Sequence, residues 1–300
     1  MTMKIPDRTM KDWPFAQRAI YQFVKWLVPQ FCRKFFQFEV NGIQHANRFP
    51  EGTPVIFCGN HRSHLDAFLI GSAIVNPYGK RTRLGFMGAG KVMQRNPFYR
   101  MLRFLGAYPV FPENPDPALH YSCRLLEENT AIFIAPQGKR IQSHPYHDYF
   151  NLIHEGKTGI GRLILKMNGK VPVVPAYIHG SAEALSRGSV IPKFGSFISV
   201  SFNKPLFWHK YTRKEGWKET DPDFYTKARE IVDKIMHTIQ EQLIIQEKHY
   251  FELLKIKFGS TIDNIFIPPE KEAKFNKILS KLVKVHPKVL QEFNESQSSQ

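Results

Sequence analysis

Between residues 37 and 208 the chain alternates short apolar runs with longer stretches of helical periodicity. The runs Phe38–Val40, Val55–Cys58, Leu84–Met87, Ala107–Phe111, Ala131–Ala135, Val171–Ile178 and Phe197–Phe202 read as strands. The stretches Ala67–Val75, Pro97–Phe104, Pro117–Glu128 and Thr158–Met167 read as helices. This alternation predicts an α/β fold, a mostly parallel twisted sheet flanked by helices. Upstream, residues 13–38 have helical periodicity. Ile20, Phe23, Val24, Leu27 and Phe31 fall on one stripe, and Arg18, Gln22, Lys25 and Arg33 on another. Pro29 removes an intrahelical donor and predicts a kink or a split there. Downstream of Trp208 the texture becomes helical and charged. Residues 222–257 read as one long amphipathic helix and 269–293 as another, broken near Pro287, with a linker at Phe266–Pro269 and a frayed tail. The expected organisation is an N-terminal amphipathic helix (1–36), an α/β domain (37–208) and a C-terminal helical extension (209–300).

Charge adds a partner class to this picture. Lys and Arg number 42 against 26 Asp and Glu, a formal net charge of +16. The excess is concentrated. Residues 1–38 hold seven Lys/Arg and two Asp, and residues 80–103 hold seven Lys/Arg and no acid, whereas the tail from 204 is close to balanced. Basic residues interleaved with aromatics, as around Trp13 and Trp26, suit a helix lying in a membrane interface, and equally a helix that covers its own domain. An anionic membrane surface is therefore an expected partner. Nucleic acid is not, since zinc-finger spacing, an RNA-recognition aromatic motif and a basic recognition helix are all missing. No apolar run approaches the roughly 18 residues of a membrane span. Three scattered cysteines, Cys32, Cys58 and Cys123, argue against a disulfide framework or a thiolate zinc site. The expected setting is cytoplasmic, peripherally attached to the inner face of a membrane.

The strongest chemical signal is GNHRSHLDAFLIGSA, residues 59–73. A strand ends at Gly59 and a helix begins near His64 or Leu65, so His61 falls on the connecting turn and Asp66 in the first helical turn. Open α/β sheets place ligands at this carboxyl edge. A carboxylate beside an imidazole fixes its tautomer and stabilises its protonated form, which makes His61 a candidate general base and Asp66 its orienter. Five residues apart within one helix the two would diverge; across a turn they can meet. A His and an Asp at this spacing also occur by chance, and the residues alone leave His61 open to an ordinary structural role. His64 adds a third metal-type side chain, but no H-E-x-x-H or similar spacing accompanies it, and no metal is expected.

With these residues in place, the chain resembles the glycerophospholipid acyltransferases, which include the 1-acylglycerol-3-phosphate and glycerol-3-phosphate acyltransferases. NHRSHLD looks like their His-x4-Asp signature, and further blocks follow in order across residues 38–207. EVNGIQ resembles the family's first strand. Lys91, Pro97 and LGAYPVF (105–111) resemble its second block. APQGKR (135–140) stands where the family has a phosphate-binding block usually written FPEGTR, VPVVPAYIHG (171–180) resembles the fourth, and residues 190–206 the closing strand. Three positions depart: Pro112 stands where the family has a phosphate-holding arginine, Gln137 replaces Glu, and Lys139 replaces Thr.

The resemblance implies transfer of a fatty acyl group from acyl-CoA or acyl-carrier protein to a hydroxyl of a glycerophospholipid precursor. The thioester is a co-substrate and no further cofactor is implied. The acceptor it favours is 1-acyl-sn-glycerol 3-phosphate, ahead of glycerol 3-phosphate or another lysophospholipid. The same blocks also fit an inactive lipid- or membrane-binding homologue, or a thioester hydrolase. For the acceptor's phosphate the resemblance points to Lys91, Gly138 and Arg140, with Lys139 and Arg95 as substitutes for the arginine absent at Pro112. Backbone N–H groups after His61 or around Gly138 are the expected oxyanion donors.

Overall fold

Each of the seven apolar runs forms a strand: β1 (Gln37–Asn41), β2 (Ile56–Gly59), β3 (Leu84–Ala89), β4 (Ala107–Val110), β5 (Ala131–Ile134), β6 (Val173–His179) and β7 (Phe197–Phe202). A computed structural model of the chain describes residues 4–50, 52–74, 83–95, 97–140, 156–186, 188–189 and 191–258. The helices among these are α1 (Phe15–Phe35), α2 (Ile43–Asn47), α3 (Asp66–Ile74), α4 (Gly90–Arg95), α5 (Pro97–Met101), α6 (Asp116–Glu127), α7 (Gly159–Lys166), α8 (Ser181–Ala184) and α9 (Phe224–Phe258). The helix read over 222–257 is α9. The one read over 269–293 lies outside the described residues, as do the linker and the tail.

The strands form one sheet in the order β1-β7-β6-β2-β5-β3-β4. β6, β2, β5, β3 and β4 run parallel, β7 is antiparallel to β6, and β1 is parallel to β7. Every residue of β2, β5 and β6 is buried, which is why these strands are near-continuous apolar runs: helices cover both faces. Side chains alternate between two cores. Ile56, Cys58, Ile132, Ile134 and Val173 face a core built with α6, α7 and α9. Val55, Phe57, Phe133, Val174, Ala176 and Ile178 face another, completed by Leu69 and Ile70 of α3 and Cys32 of α1. This period of two fixes the strand registers, because a one-residue slip would exchange the two cores.

Residues 1–143 and 153–246 form one compact unit, so the boundaries expected at 36/37 and 208/209 fall inside it. The reason is packing. Cys32 and Phe36 belong to the second core, while Phe224, Ala228, Ile231, Val232 and Ile235 belong to the first. α7 crosses α9 so closely that a Cβ on Gly161 would lie 2.1 Å from the Ala228 carbonyl oxygen; only glycine allows this approach. Residues 144–152 and 247–300 form a second unit, of which the described part is the final stretch of α9.

α1 corrects two expectations. It runs unbroken through Pro29, which is buried. The side chains it buries are Tyr21, Pro29 and Cys32, whereas of the stripe read as apolar Ile20, Phe23, Leu27 and Phe31 are exposed and only Val24 is half-buried. The helix has an apolar inner face and an aromatic outer one.

Candidate active site

The carboxyl ends of β2, β5 and β4 lead into the turns carrying His61, Gln137–Gly138 and Pro112–Glu113, and that of β3 leads directly into α4 with Lys91. Where β2 ends, Asn60 extends the sheet with its side chain. Its Nδ2 donates to the Ile178 carbonyl at 2.9 Å, and its Oδ1 accepts the Ile178 N–H at 2.7 Å. This pair fixes the departure of the chain into residues 61–66.

Asp66 organises that turn. Its Oδ2 accepts the backbone N–H of Arg62 at 2.7 Å and of Ser63 at 2.9 Å, and lies 2.8 Å from His61 Nδ1. The helix N-terminus favours a negative group there. Asp66 is fully buried, whereas the His61 side chain is 28% exposed. The carboxylate accepts, so it selects the tautomer with hydrogen on Nδ1 and leaves the Nε2 lone pair to take a proton. The His61 N–H donates to Gln137 Oε1 at 3.3 Å, tying the turn to the end of β5. Gln137 thus places a neutral oxygen acceptor on the backbone of the His61 turn.

Gly138 has φ of +67°, a left-handed conformation that favours glycine, and a Cβ there would also press on the Lys157 side chain at 2.9 Å. Arg140 is half-buried, and its charge reaches His64. Burial, with Arg140 and His61 adding and Asp66 opposing, pushes the His64 imidazole down to about 4, so it stays neutral at pH 7. The structure thus brings His61, His64, Asp66, Gln137 and Arg140 together. Lys91 stands on α4, exposed, with Nζ 3.1 Å from Glu113 Oε1. The Glu113 carboxyl is held below its usual range by its own backbone N–H and by Lys91. Arg95 and Lys139 are exposed, and among the described residues no hydrogen bond or ion pair draws either to the His61 turn.

Three of the oxyanion donors expected here are otherwise engaged. The N–H groups of Arg62 and Ser63 hold Asp66, and that of Gly138 donates to the Ala135 carbonyl. Ser63 Oγ donates to the Leu185 carbonyl at 3.2 Å, so this hydroxyl serves the scaffold. Burial raises the thiols of Cys32, Cys58 and Cys123, which makes them poor nucleophiles.

Arg62 went unnoticed in the sequence, where an arginine reads as surface charge. It is 1% exposed, and its Nη2 donates to Glu183 Oε1 at 3.1 Å, joining the turn to α8. Its place inside the NHRSHLD run was the available signal. Past Asp66, an apolar groove opens between α1 and α3, lined by Tyr21, Val24, Val28, Phe68, Gly71 and Leu84.

Residues 37–179, which hold all of β1 to β6 and the His61–Asp66 pair, match the family model described as Acyltransferase. Over this segment the chain is similar to the acyltransferase family. A likeness of fold extends further than the matched segment. The crystal structure of the 1-acyl-sn-glycerophosphate (LPA) acyltransferase PlsC from Thermotoga maritima superposes with a TM-score of 0.52, covering 76% of this chain and 81% of that one at 16% identity. At that identity the likeness is one of fold. By sequence, no curated protein matches this chain significantly.

Proposed function

We propose that this chain moves a fatty acyl group from a thioester, acyl-CoA or acyl-carrier protein, to the free hydroxyl of 1-acyl-sn-glycerol 3-phosphate, with His61 as general base. The observation that carries the reading is the 2.8 Å pairing of His61 Nδ1 with Asp66 Oδ2 on a turn at the carboxyl edge of the sheet. An alcohol is a weak nucleophile near pH 7. In this reading, as its oxygen attacks the thioester carbonyl carbon, its proton passes to His61 Nε2. The C–S bond then breaks, and the departing thiolate receives that proton from His61, which returns the imidazole to its neutral form. The thioester is already activated, so no acyl-enzyme is needed, in keeping with the occupied Ser63 hydroxyl. Asp66 holds the ring and offsets its transient positive charge.

Arg140 offers a forked, permanently charged donor set for the acceptor's phosphate beside the His61 turn, and Gly138 lets the chain bend close to it. Lys91, Lys139 and Arg95 add cationic charge along the same edge. The groove between α1 and α3 suits an acyl chain. Its wall begins at Ala67 and Phe68, directly after Asp66. The exposed basic and aromatic residues of α1, and Met101 and Phe104 near Arg100 and Arg103, suit peripheral attachment to the inner face of an anionic membrane. No described helix is long and apolar enough to cross a membrane.

The deciding experiment is a screen of purified protein with acyl-CoA and acyl-carrier protein against lysophosphatidate, glycerol 3-phosphate and neutral or zwitterionic lysophospholipids. An acylated lysophosphatidate is the expected product; free fatty acid alone would instead indicate a thioester hydrolase, and no turnover an inactive lipid-binding homologue.

One observation favours a second acceptor class. Pro112 removes a cation and Glu113 adds an anion that occupies Lys91, which lowers the positive charge available to a phosphate monoester. Glu113→Gln should therefore raise kcat/KM for lysophosphatidate roughly two- to fivefold, the range of an exposed ion pair, and leave neutral acceptors unchanged. An equal response with both acceptors would mean that Lys91 does not meet the phosphate.

A further inference from the structure

The end of α1 is stitched to a turn from far along the chain. The Gly195 N–H donates to the Phe35 carbonyl at 2.8 Å, Gln37 Nε2 to the Gly195 carbonyl at 3.2 Å, and the Gln37 N–H to the Ser196 carbonyl at 3.0 Å. The Phe194 ring lies 5.2 Å from that of Phe35 and 6.1 Å from that of Phe31. Nevertheless Phe194 is 55% exposed and Ile191 72%. Phe194 extends the exposed row of α1, where Phe23 is 58% and Trp26 61% exposed, and Ile191 stands on the same turn. Large apolar side chains gathered in one patch mark a surface that meets a partner.

The partner's charge can be read from the rim. α1 carries Arg18, Lys25, Arg33 and Lys34 and no acid, and the turn carries Lys193. Aromatic rings with amphipathic cations around them match the boundary between acyl chains and anionic headgroups.

The position of the turn couples this surface to the site. β6 ends at His179, paired with Ser199 near the start of β7, and β7 starts at Phe197, opposite Gln37 at the start of β1. The starts of β1 and β7 thus lie at the sheet edge where β6 and β2 end and His61 stands. β7 and β2 are separated only by β6, a lateral offset of about 10 Å. A chain of bonds spans that offset: Lys193 N–H to the Ala184 carbonyl at 2.7 Å, Glu183 to Arg62, and the Leu185 carbonyl to Ser63 Oγ.

We propose that the turn at Ile191–Phe194 is a second membrane-inserting element, which forms one docking surface for an anionic bilayer with the outer face of α1 and, through α8, fixes the His61 turn beside the lipid headgroups. The purpose of such docking rests on the acyl-transfer reading; its test does not.

The full chain is mixed with phosphatidylglycerol–phosphatidylcholine vesicles, and separately with pure phosphatidylcholine vesicles, and the bound fraction is measured by sedimentation. The parent should bind the anionic vesicles, weakly at high salt, and the double variant Ile191→Ser/Phe194→Ser should bind about tenfold less or weaker, as expected when two large apolar side chains no longer enter lipid. Its melting temperature should fall by no more than a few degrees, since Ile191 is exposed and Phe194 gives up only ring contacts at the surface. Lys193→Glu, which leaves the rings in place, should lower binding to anionic vesicles and spare the residual binding to neutral ones. Equal vesicle binding by the parent and the double variant overturns the proposal, whether or not the protein transfers acyl groups. A parent that is dimeric without lipid and monomeric as the double variant also overturns it, by showing that a second copy covers this surface. His61→Ala keeps vesicle binding while losing transfer, which separates docking from chemistry.

Discussion

His61→Ala is expected to lower kcat for acyl transfer by about 10²–10⁴-fold, the range for loss of a positioned general base. KM for either substrate should change far less, because the imidazole acts on a proton that moves only in the transition state. The fold should survive. The ring is partly exposed, and the hydrogen bonds that shape its turn run from the N–H groups of Arg62 and Ser63 to Asp66, which stays in place. Steady-state kinetics with an acyl thioester and lysophosphatidate, beside a thermal melt, give the two readouts. A variant with kcat within a few-fold of the parent and the same product would remove His61 from the chemistry. A variant that loses activity together with its melting transition would show only that the turn needs the ring.

Much of the fold was legible because buried parallel strands leave a signature that neither helices nor loops share. Ile56–Gly59, Ala131–Ile134 and Val173–His179 are buried on both faces and hence apolar throughout, and the chain between them returns with helical periodicity. The short helices α2, α4 and α8 escaped notice, since four to six residues complete too little of a helical repeat to stand out. Strand order and the reversed direction of β7 were equally hidden. They depend on which strands meet after the chain has crossed the sheet, and a run of apolar residues does not name its neighbour.

α1 shows a different limit. Its apolar stripe was visible, but the choice of buried face was not, because Tyr21, Val28 and Cys32 on the inner side are about as apolar as Phe23, Leu27 and Phe31 on the outer side. At the site, the spacing of His61 and Asp66 across a turn after Gly59 allowed them to meet without requiring it, and they do meet. The partners of that pair were not. Gln137 reaches His61 from 76 residues away, Ile178 reaches Asn60 from 118, and Glu113 reaches Lys91 from a neighbouring strand end. The backbone N–H groups after His61 looked available for an oxyanion until the carboxylate of Asp66 was found to use them.

That use of Asp66 makes its replacement the second large effect, and one that separates structure from chemistry. Asp66→Ala removes the acceptor shared by the His61 ring and the N–H groups of Arg62 and Ser63. Two backbone donors are then left without a partner where Arg62 and Ser63 are buried, at a cost of about 1–3 kcal/mol each. In a domain of this size the melting temperature should fall by at least about 5 °C, and activity should be lost with it. Asp66→Asn behaves differently. The amide oxygen still accepts from the two backbone N–H groups, so most of the stability returns. Its effect on the ring is electrostatic: with the amide oxygen in the Oδ2 place the hydrogen of His61 stays on Nδ1, but no negative charge remains to offset the imidazolium that forms when the base takes its proton. A kcat loss of about 10²–10⁴-fold with a near-parental melt is therefore expected for Asp66→Asn. The pair of variants tests the assignment from both sides. Should Asp66→Asn turn over like the parent, the carboxylate would be a turn-holding group only, and His61 would need another source for its orientation.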